Sequence, residues 1–403
     1  MDNLIKYSLE LLGINSVQSA ATPTAPFGIG TAKALEYVLT LAKNLGFKTV
    51  NHDNYIGYAE CGEGEEFAIL GHLDTVPIGE GWTRNPLGEL TDDKIYGRGA
   101  LDDKLPMLCC LLACGELLKV KKPKKKIKII FGLNEESGWQ CIEHFNKVDK
   151  LPKTGFSPDA DFPVINCEKG IVNYKISLPL IDGFTITSGE RPNIVPNNCN
   201  AVLNGITYNA TGVSAHAANP YNGDNAIIKM LNLLSEKNSE ISYIYSRLSD
   251  YYGSGLGIDV NDETSGRLTQ NVGMAFCDDK LNFVLDIRYP VSFDENFILS
   301  KLKEAFPAAE IIRTHYHLPL YVEKDNPLVT TLLDVYNECT GSKCKPISIG
   351  GGTYSRALPL GVAFGPVFPD SGLDIHCPDE HIPLNLLYSA YDIYKKAIDK
   401  LCF

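Results

Sequence analysis

The chain has 403 residues, a length that favours two domains over a single core. Its hydrophobic content of 44% and charged content of 21% are typical of a globular protein, and its formal net charge of −12 argues against nucleic acid or an anionic membrane as the main partner. The twelve cysteines share no spacing, the first residues lack a signal-peptide pattern, and no run approaches the roughly 20 apolar residues of a membrane span, so we expect a cytoplasmic protein with reduced thiols.

The first part of the chain, residues 1–171, alternates helical and strand-like apolar patterns. Its spacing predicts helices over 4–12, 34–45 and 102–118, and strands over 47–50, 55–59, 67–70 and 127–133. Residues 323–403 show the same alternation of helical and strand-like patterns, with predicted helices over 327–336 and 384–401 and a strand over 362–365. Helices alternating with apolar strands predict an α/β domain with a mixed, largely parallel sheet flanked by helices.

Residues 172–322 have shorter apolar runs and denser turns. The pattern predicts strands over 173–178, 205–211 and 282–287, and helices over 224–235 and 297–305. These features are typical of an antiparallel sheet with helices on one face. We therefore predict a small α+β domain inserted into a discontinuous domain made of residues 1–171 and 323–403.

The first candidate site residues follow the predicted strand 67–70. Because side chains alternate along a strand, His72 and Asp74 point the same way. A carboxylate on that face accepts the second imidazole N–H and leaves the other ring nitrogen for a metal. A satisfied histidine at a strand end explains this stretch equally well when it is taken alone.

Four further stretches bring acids and a second histidine. Carboxylates at the carboxyl ends of strands in an α/β sheet lie where such folds bind ligands, although each acidic pair alone is also expected in a solvated loop or at a helix N-terminus. Two imidazoles and several carboxylates are enough for two divalent cations of the zinc, cobalt or manganese type. The four stretches contain Asp102-Asp103, Glu135-Glu136, Asp159 with Asp161, and His376.

Taken in order, these stretches resemble the di-zinc peptidases that include carboxypeptidase G, aminoacylase, succinyl-diaminopimelate desuccinylase and carnosinase-type dipeptidases. Within that family the chain is most similar to the bacterial peptidase V-type dipeptidases, over nearly its whole length. The resemblance implies a cis peptide between Asp102 and Asp103, with Asp102 bridging two metals. It also implies Glu135 as the general base that activates a metal-bridging water, Asp74 as the residue that orients the first histidine, and the metal ligands His72, Asp102, Glu136, Asp159 and His376.

The predicted insert resembles the lid of the same family. The segments 189–196 and 266–273 are similar to the peptidase V versions. The resemblance implies that His216 reaches the scissile carbonyl and that Asn193 and Arg288 bind the substrate. Arg356, near the glycine-rich loop 350–352, is the alternative arginine for the substrate carboxylate. The chain departs from the family in having Leu105 in place of a glycine and a lid shorter than that of peptidase V. A lid of intermediate size favours a monomer over a homodimer.

The resemblance implies di-metal-dependent hydrolysis of the peptide bond of small peptides, dipeptides above all. An N-acyl amino-acid deacylase and a carboxypeptidase are the alternatives with the same chemistry. Zinc is the first expectation for the metals, with manganese and cobalt as alternatives, and neither nucleic acid nor membrane is expected as a partner. Retention of Glu135 with all five ligand positions argues against a non-catalytic homologue. His315 and His317 share a strand face that suits a metal, but a position on the lid rim or hinge fits them better.

Overall fold

A computed structural model describes residues 2–403. The chain divides into two compact units: one contains the residues up to Asn166 together with Val322–Ile347 and Thr353–Phe403, and the other contains Cys167–Tyr321 and Ser348–Gly352. That these units act as a catalytic domain and a lid stays a prediction.

Residues 2–168 form four α-helices and nine strands. The helices are α1 (Asn3–Leu12), α2 (Ile29–Asn44), α3 (Lys104–Leu118) and α4 (Gln140–Val148). The strands are β1 (Lys48–His52), β2 (Ile56–Cys61), β3 (Glu66–His72), β4 (Glu89–Leu90), β5 (Lys94–Tyr96), β6 (Lys126–Gly132), β7 (Thr154–Ser157), β8 (Ala160–Asp161) and β9 (Ile165–Glu168).

The middle of the chain forms the second unit. Its strands are β10 (Gly170–Leu178), β11 (Phe184–Ser188), β12 (Asn198–Leu203), β13 (Ile206–Thr211), β14 (Asn261–Asp262), β15 (Gly266–Arg267), β16 (Thr269–Cys277), β17 (Leu281–Tyr289), β18 (Glu310–His317) and β19 (Leu320–Tyr321). Its helices are α5 (Ala226–Ser235), α6 (Ser239–Leu248) and α7 (Glu295–Ala305).

The last segment returns to the first unit, apart from Ser348–Gly352, which belong to the second. It adds the helices α8 (Pro327–Thr340) and α9 (Leu384–Cys402) and the strands β20 (Ile347–Ile349), β21 (Leu360–Ala363), β22 (Pro366–Val367) and β23 (His381–Pro383). None of the helices within residues 2–403 is both long and apolar enough to cross a membrane.

The sheet of the first unit is parallel at its centre. Its strands pair in the order β1-β2-β6-β3-β7-β21-β9. The pairs β6-β3, β3-β7 and β7-β21 are parallel, whereas β1-β2, β2-β6 and β21-β9 are antiparallel. Apart from the first residue of each strand, β3, β6, β7 and β21 are buried throughout, as expected of a parallel sheet with both faces covered. The predicted mixed α/β sheet flanked by helices is confirmed.

Helix α3 is the most deeply buried helix of this unit. Its residues from Lys104 to Gly115 are all buried, and its core is shared with α9, which buries Leu387, Ile393 and Ile398. Leu105, the departure from the family glycine, is itself 0% exposed. The leucine therefore contributes apolar surface to this core.

The second unit has its own sheet and its own core. Its strands are antiparallel in the order β13-β12-β11-β16-β17-β10-β18. Apolar side chains of α5, α6 and α7 are buried in one cluster with those of the sheet. The predicted α+β character of this segment is thus observed.

Candidate metal centre

The predicted site residues of the first unit lie at one edge of its sheet. His72 ends β3, the pair Glu135-Glu136 follows β6, and Asp159 follows β7. Because these strands are parallel, their carboxyl ends lie side by side. Asp102 precedes α3, and His376 lies in the segment between β22 and β23.

Asp102 lies between two histidines. Its Oδ1 is 2.9 Å from His72 Nε2, and its Oδ2 is 2.7 Å from His376 Nε2. Each histidine also faces a second carboxylate: His72 Nε2 is 3.8 Å from Asp159 Oδ1, and His376 Nε2 is 3.3 Å from Glu136 Oε1. The five predicted ligands therefore form two groups, each with one histidine and one carboxylate, that share Asp102.

The chemistry of this cluster fits divalent cations. His72, Asp102 and Glu136 each offer one ligand atom within 4.8 Å of the others. His72 Nε2 and Asp102 Oδ1 are both buried, and neither is satisfied by a hydrogen bond although they lie close together. Imidazole nitrogen with carboxylate oxygen is a donor set of zinc, manganese and cobalt sites.

The buried carboxylates of the cluster repel one another. Burial and the neighbouring Asp102 carboxylate raise the pKa of Asp159 to about 7, and the same two causes raise the pKa of Glu136 above its ordinary value. Burial also acts to raise the pKa of Asp102, but the close approach of the His376 and His72 rings holds that pKa below its usual range. Bound cations would offset the repulsion among these carboxylates.

Asp74 makes contacts that the sequence did not predict. His72 Nδ1 lies 2.9 Å from the main-chain oxygen of Asp74 and 3.4 Å from the Asp74 carboxylate. That carboxylate also accepts the main-chain N–H of Glu135 through Oδ1 and that of Glu136 through Oδ2, each at 3.1 Å. The Asp74 side chain therefore braces the loop that carries both glutamates.

Glu135 lies beside the two ligand groups, and Trp139, which belongs to neither group, holds its carboxylate. Its Oε1 accepts a hydrogen bond from Trp139 Nε1 at 3.1 Å. Burial and the charge of Asp159 raise the pKa of Glu135 well above its ordinary value. Sequence reasoning missed Trp139, whose signal was an indole donor four residues after the predicted base.

The peptide bond between Asp102 and Asp103 is cis, as predicted. Asp103 is fully buried, and its Oδ2 accepts the main-chain N–H of His72 at 3.2 Å. A Cβ at position 71 would overlap this same carboxylate oxygen, so Gly71 is required for the close approach of β3 to Asp103. Asp103 therefore ties the Asp102 segment to the strand that ends at His72.

The second unit brings Asn193 and His216 together. Ile194 and His216 form an antiparallel bridge, and the N–H of Ala217 donates to the main-chain oxygen of Asn193 at 2.9 Å. His216 Nδ1 accepts the N–H of Ala218 at 3.2 Å, so the neutral imidazole carries its proton on Nε2. The side chains of Asn193 and His216 are exposed.

Arg288 lies within β17 and is buried, with 5% exposure. Its Nε and Nη2 donate to the two carboxylate oxygens of Asp286 at 2.5 and 2.9 Å, and its Nη1 donates to the oxygen of Gly350 at 3.2 Å. Much of the guanidinium fork is thus engaged inside the second unit. Arg356 is half-buried in a short 3₁₀ helix, Tyr354–Ala357, of the first unit.

The remaining histidine pair lies on β18. The rings of His315 and His317 are 4.6 Å apart. Within residues 2–403, no third histidine, cysteine or carboxylate completes a three-ligand group with them.

Comparison with known proteins gives one consistent result. The model of peptidase family M20/M25/M40 matches residues 68–400. "Putative dipeptidase YtjP" of Bacillus subtilis (strain 168) is 35% identical over 453 residues, which cover 99% of this chain and 97% of that protein. "Putative dipeptidase" of Staphylococcus epidermidis (strain ATCC 12228 / FDA PCI 1200) is 32% identical, with 97% of this chain and 95% of that protein covered.

Solved structures share the fold at low identity. Human carnosine dipeptidase 1 superposes with a TM-score of 0.66 at 14% identity, covering 98% of this chain and 95% of the other. The M20 family metallo-carboxypeptidase Sso-CP2 of Sulfolobus solfataricus gives a TM-score of 0.65 at 17% identity, with 99% of each chain covered.

Proposed function

Because the chain belongs to peptidase family M20/M25/M40, we propose that it is a metal-dependent peptidase that hydrolyses the peptide bond of small peptides, dipeptides above all. The observation that carries the proposal is the position of Asp102 between two groups, His72 with Asp159 and His376 with Glu136. Beside these groups lies Glu135, a half-buried carboxylate that is suited to proton transfer because its pKa is raised and Trp139 holds it.

Two divalent cations are assigned to these groups. One would be held by His72, Asp102 and Asp159, and the other by Asp102, Glu136 and His376. Zinc is the first assignment, and manganese and cobalt suit the same nitrogen and oxygen ligands. When bound, such cations polarise the scissile carbonyl and acidify water.

Glu135 is assigned the proton transfers. Its carboxylate takes a proton from the attacking water and later gives one to the leaving amine. The indole N–H of Trp139 fixes one carboxylate oxygen, and Asp74 fixes the main chain of the same residue. Both contacts hold the base in place without occupying its second carboxylate oxygen, Oε2.

The roles of the second unit rest on its own geometry. His216 has the tautomer that presents an Nε2–H donor, which suits stabilisation of a developing oxyanion. Asn193 and Arg288 are assigned to the substrate, with Arg356 as the alternative to Arg288 for the substrate carboxylate. Free cysteines throughout residues 2–403 fit a reducing cytoplasm. Separately, we assign a monomer as the oligomeric state.

The test is a substrate panel on metal-loaded enzyme. Apo-protein reloaded with zinc, manganese or cobalt is assayed on free dipeptides, N-acetyl amino acids and N-blocked dipeptides. Faster turnover of free dipeptides, lost in Glu135→Gln, supports the proposal. Preference for N-acetyl amino acids indicates a deacylase, preference for N-blocked dipeptides indicates a carboxypeptidase, and no metal-dependent turnover of any of the three overturns the assignment.

A further inference from the structure

We propose that Glu380, held by Arg98, is a positioning residue of the metal centre. It joins the loop of Asp102 to the loop of His376 and thereby sets the affinity for the cation that these two residues share with Glu136. The proposal rests on the metal centre assigned under the proposed function and adds a residue that makes no contact with substrate or metal.

The Glu380 carboxylate is 1% exposed and fully engaged. Its Oε1 accepts the main-chain N–H groups of Gly99 and Leu101, each at 3.0 Å, and its Oε2 accepts Arg98 Nη1 at 2.5 Å. All three donors belong to the four residues directly before Asp102. One side chain from the end of the chain thus fixes the approach to the shared ligand.

Arg98 connects this contact to a third loop. Its Nη2 donates to the main-chain oxygen of Ile78 at 3.3 Å, and its guanidinium lies 5.3 Å from the ring centre of Trp82. Ile78 and Trp82 belong to the segment that follows His72 and Asp74. The buried ion pair is therefore a junction of three segments that lead to candidate ligands.

The two ligand loops leave from a common base. Strand β23 pairs with β5, and the N–H of Gly97 donates to the main-chain oxygen of Glu380 at 2.9 Å. From Gly97 the chain runs forward to Asp102. From Glu380 it runs backward to His376, whose side chain is 45% exposed. The Glu380 carboxylate is the side-chain link that continues this connection toward the metal ligands.

The effect is expected to be selective for one cation. The position of Asp102 relative to His72 has a separate support, because Asp103 Oδ2 accepts the N–H of His72. Loss of the Glu380 carboxylate leaves that support in place and loosens His376 relative to Asp102. The cation held by Asp102, Glu136 and His376 is therefore lost first.

The experiment compares Glu380→Gln with the double variant Arg98→Met/Glu380→Gln, in which no charge is left buried and unpaired. Asp379→Asn is the matched control, because Asp379 anchors the same loop to Thr83 and Arg84 at the rim without contacting the Asp102 loop. Ile398→Ala, a change at a buried residue of α9 in the hydrophobic core, controls for a general loss of folding stability. Zinc per chain is measured after dialysis, the two zinc affinities by competition with a chelator, and unfolding by a thermal scan.

Both Glu380 variants are expected to keep the first zinc near wild-type affinity and to bind the second about 10–100-fold more weakly, as removal of a residue that orients a ligand usually does. Excess zinc should restore their turnover. The proposal is overturned if both variants bind two cations as wild type does, or if Asp379→Asn or Ile398→Ala weakens the second cation as much. A wild-type protein that binds no second cation would instead refute the metal centre of the proposed function, and this proposal with it.

Discussion

Replacing Asp74 by asparagine separates two roles for this residue. The sequence predicts that Asp74 orients His72, whereas the structure shows its two carboxylate oxygens accepting the N–H groups of Glu135 and Glu136. In asparagine one of those oxygens becomes an NH₂ group that faces an N–H donor. One of the two hydrogen bonds must then be lost, and one partly buried donor is left without an acceptor.

The magnitude follows from those contacts. A hydrogen bond to a charged group contributes about 1.5–3 kcal/mol, and a buried donor without a partner costs about 1–3 kcal/mol. Because part of each quantity is the same desolvation, we expect about 2–4 kcal/mol of lost support for the loop, with the remaining bond weakened to a neutral one. At about 1.4 kcal/mol for each tenfold change, this corresponds to roughly 30- to 700-fold in the equilibrium between the braced and unbraced loop.

The assay measures kcat at saturating zinc and zinc affinity separately. If Asp74 braces the Glu135-Glu136 loop, Asp74→Asn lowers kcat even when the metal sites are full, because the base is displaced. Asp149→Asn is the matched control: Asp149 also accepts a main-chain N–H, that of Lys150, but lies outside the site. If kcat at saturating zinc stays at the wild-type value while zinc affinity alone falls, Asp74 acts on His72 and the bracing argument is refuted.

Four further outcomes are expected. Glu135→Ala should keep its metal content and lose about 10²–10⁴-fold in turnover, and a variant that loses metal instead would identify a ligand. His376→Ala and Asp102→Ala should both retain less metal by elemental analysis, Asp102→Ala more severely because both groups share it. His216→Ala should retain its metals and lose about 10²–10³-fold in kcat, an assignment that fails if kcat is unchanged. Arg288→Lys should abolish the preference for a dipeptide over its amide, and undiminished discrimination would transfer that role to another basic residue.

Much of the fold could be predicted because its strongest elements are long and regular in their apolar spacing. Helices α1 and α9 and strands β3 and β6 lie within a few residues of the predicted ranges. Helix α6 was missed although its signal was present: Asn238 caps it, and Ile241, Ile244 and Leu248 share one face. Helix α4 had a weaker signal, since it follows Trp139 in a left-handed backbone conformation that no sequence pattern indicated.

The metal ligands could be predicted because their residue types carry the chemistry. Histidines and carboxylates in the family order are recognisable wherever they lie in the chain. The residues that hold them in place are not recognisable in this way. Arg98 and Glu380 are 282 residues apart, and neither belongs to a motif of ligand type.

Asp74 shows why a recognised residue can still be assigned an incomplete role. The resemblance identifies the position, and alternation along a strand suggests that its carboxylate meets His72. The structure ends β3 at His72, so Asp74 lies beyond the strand and its carboxylate meets main-chain donors from the next loop. Main-chain N–H groups are present at nearly every residue, so a sequence cannot indicate which of them a carboxylate will accept. The same reasoning applies to Glu380, because its Oε1 accepts the main-chain N–H groups of Gly99 and Leu101. In this centre the candidate ligands are recognisable by their side-chain type. Their spacing is set by the carboxylates of Asp74 and Glu380, which accept hydrogen bonds from main-chain N–H groups.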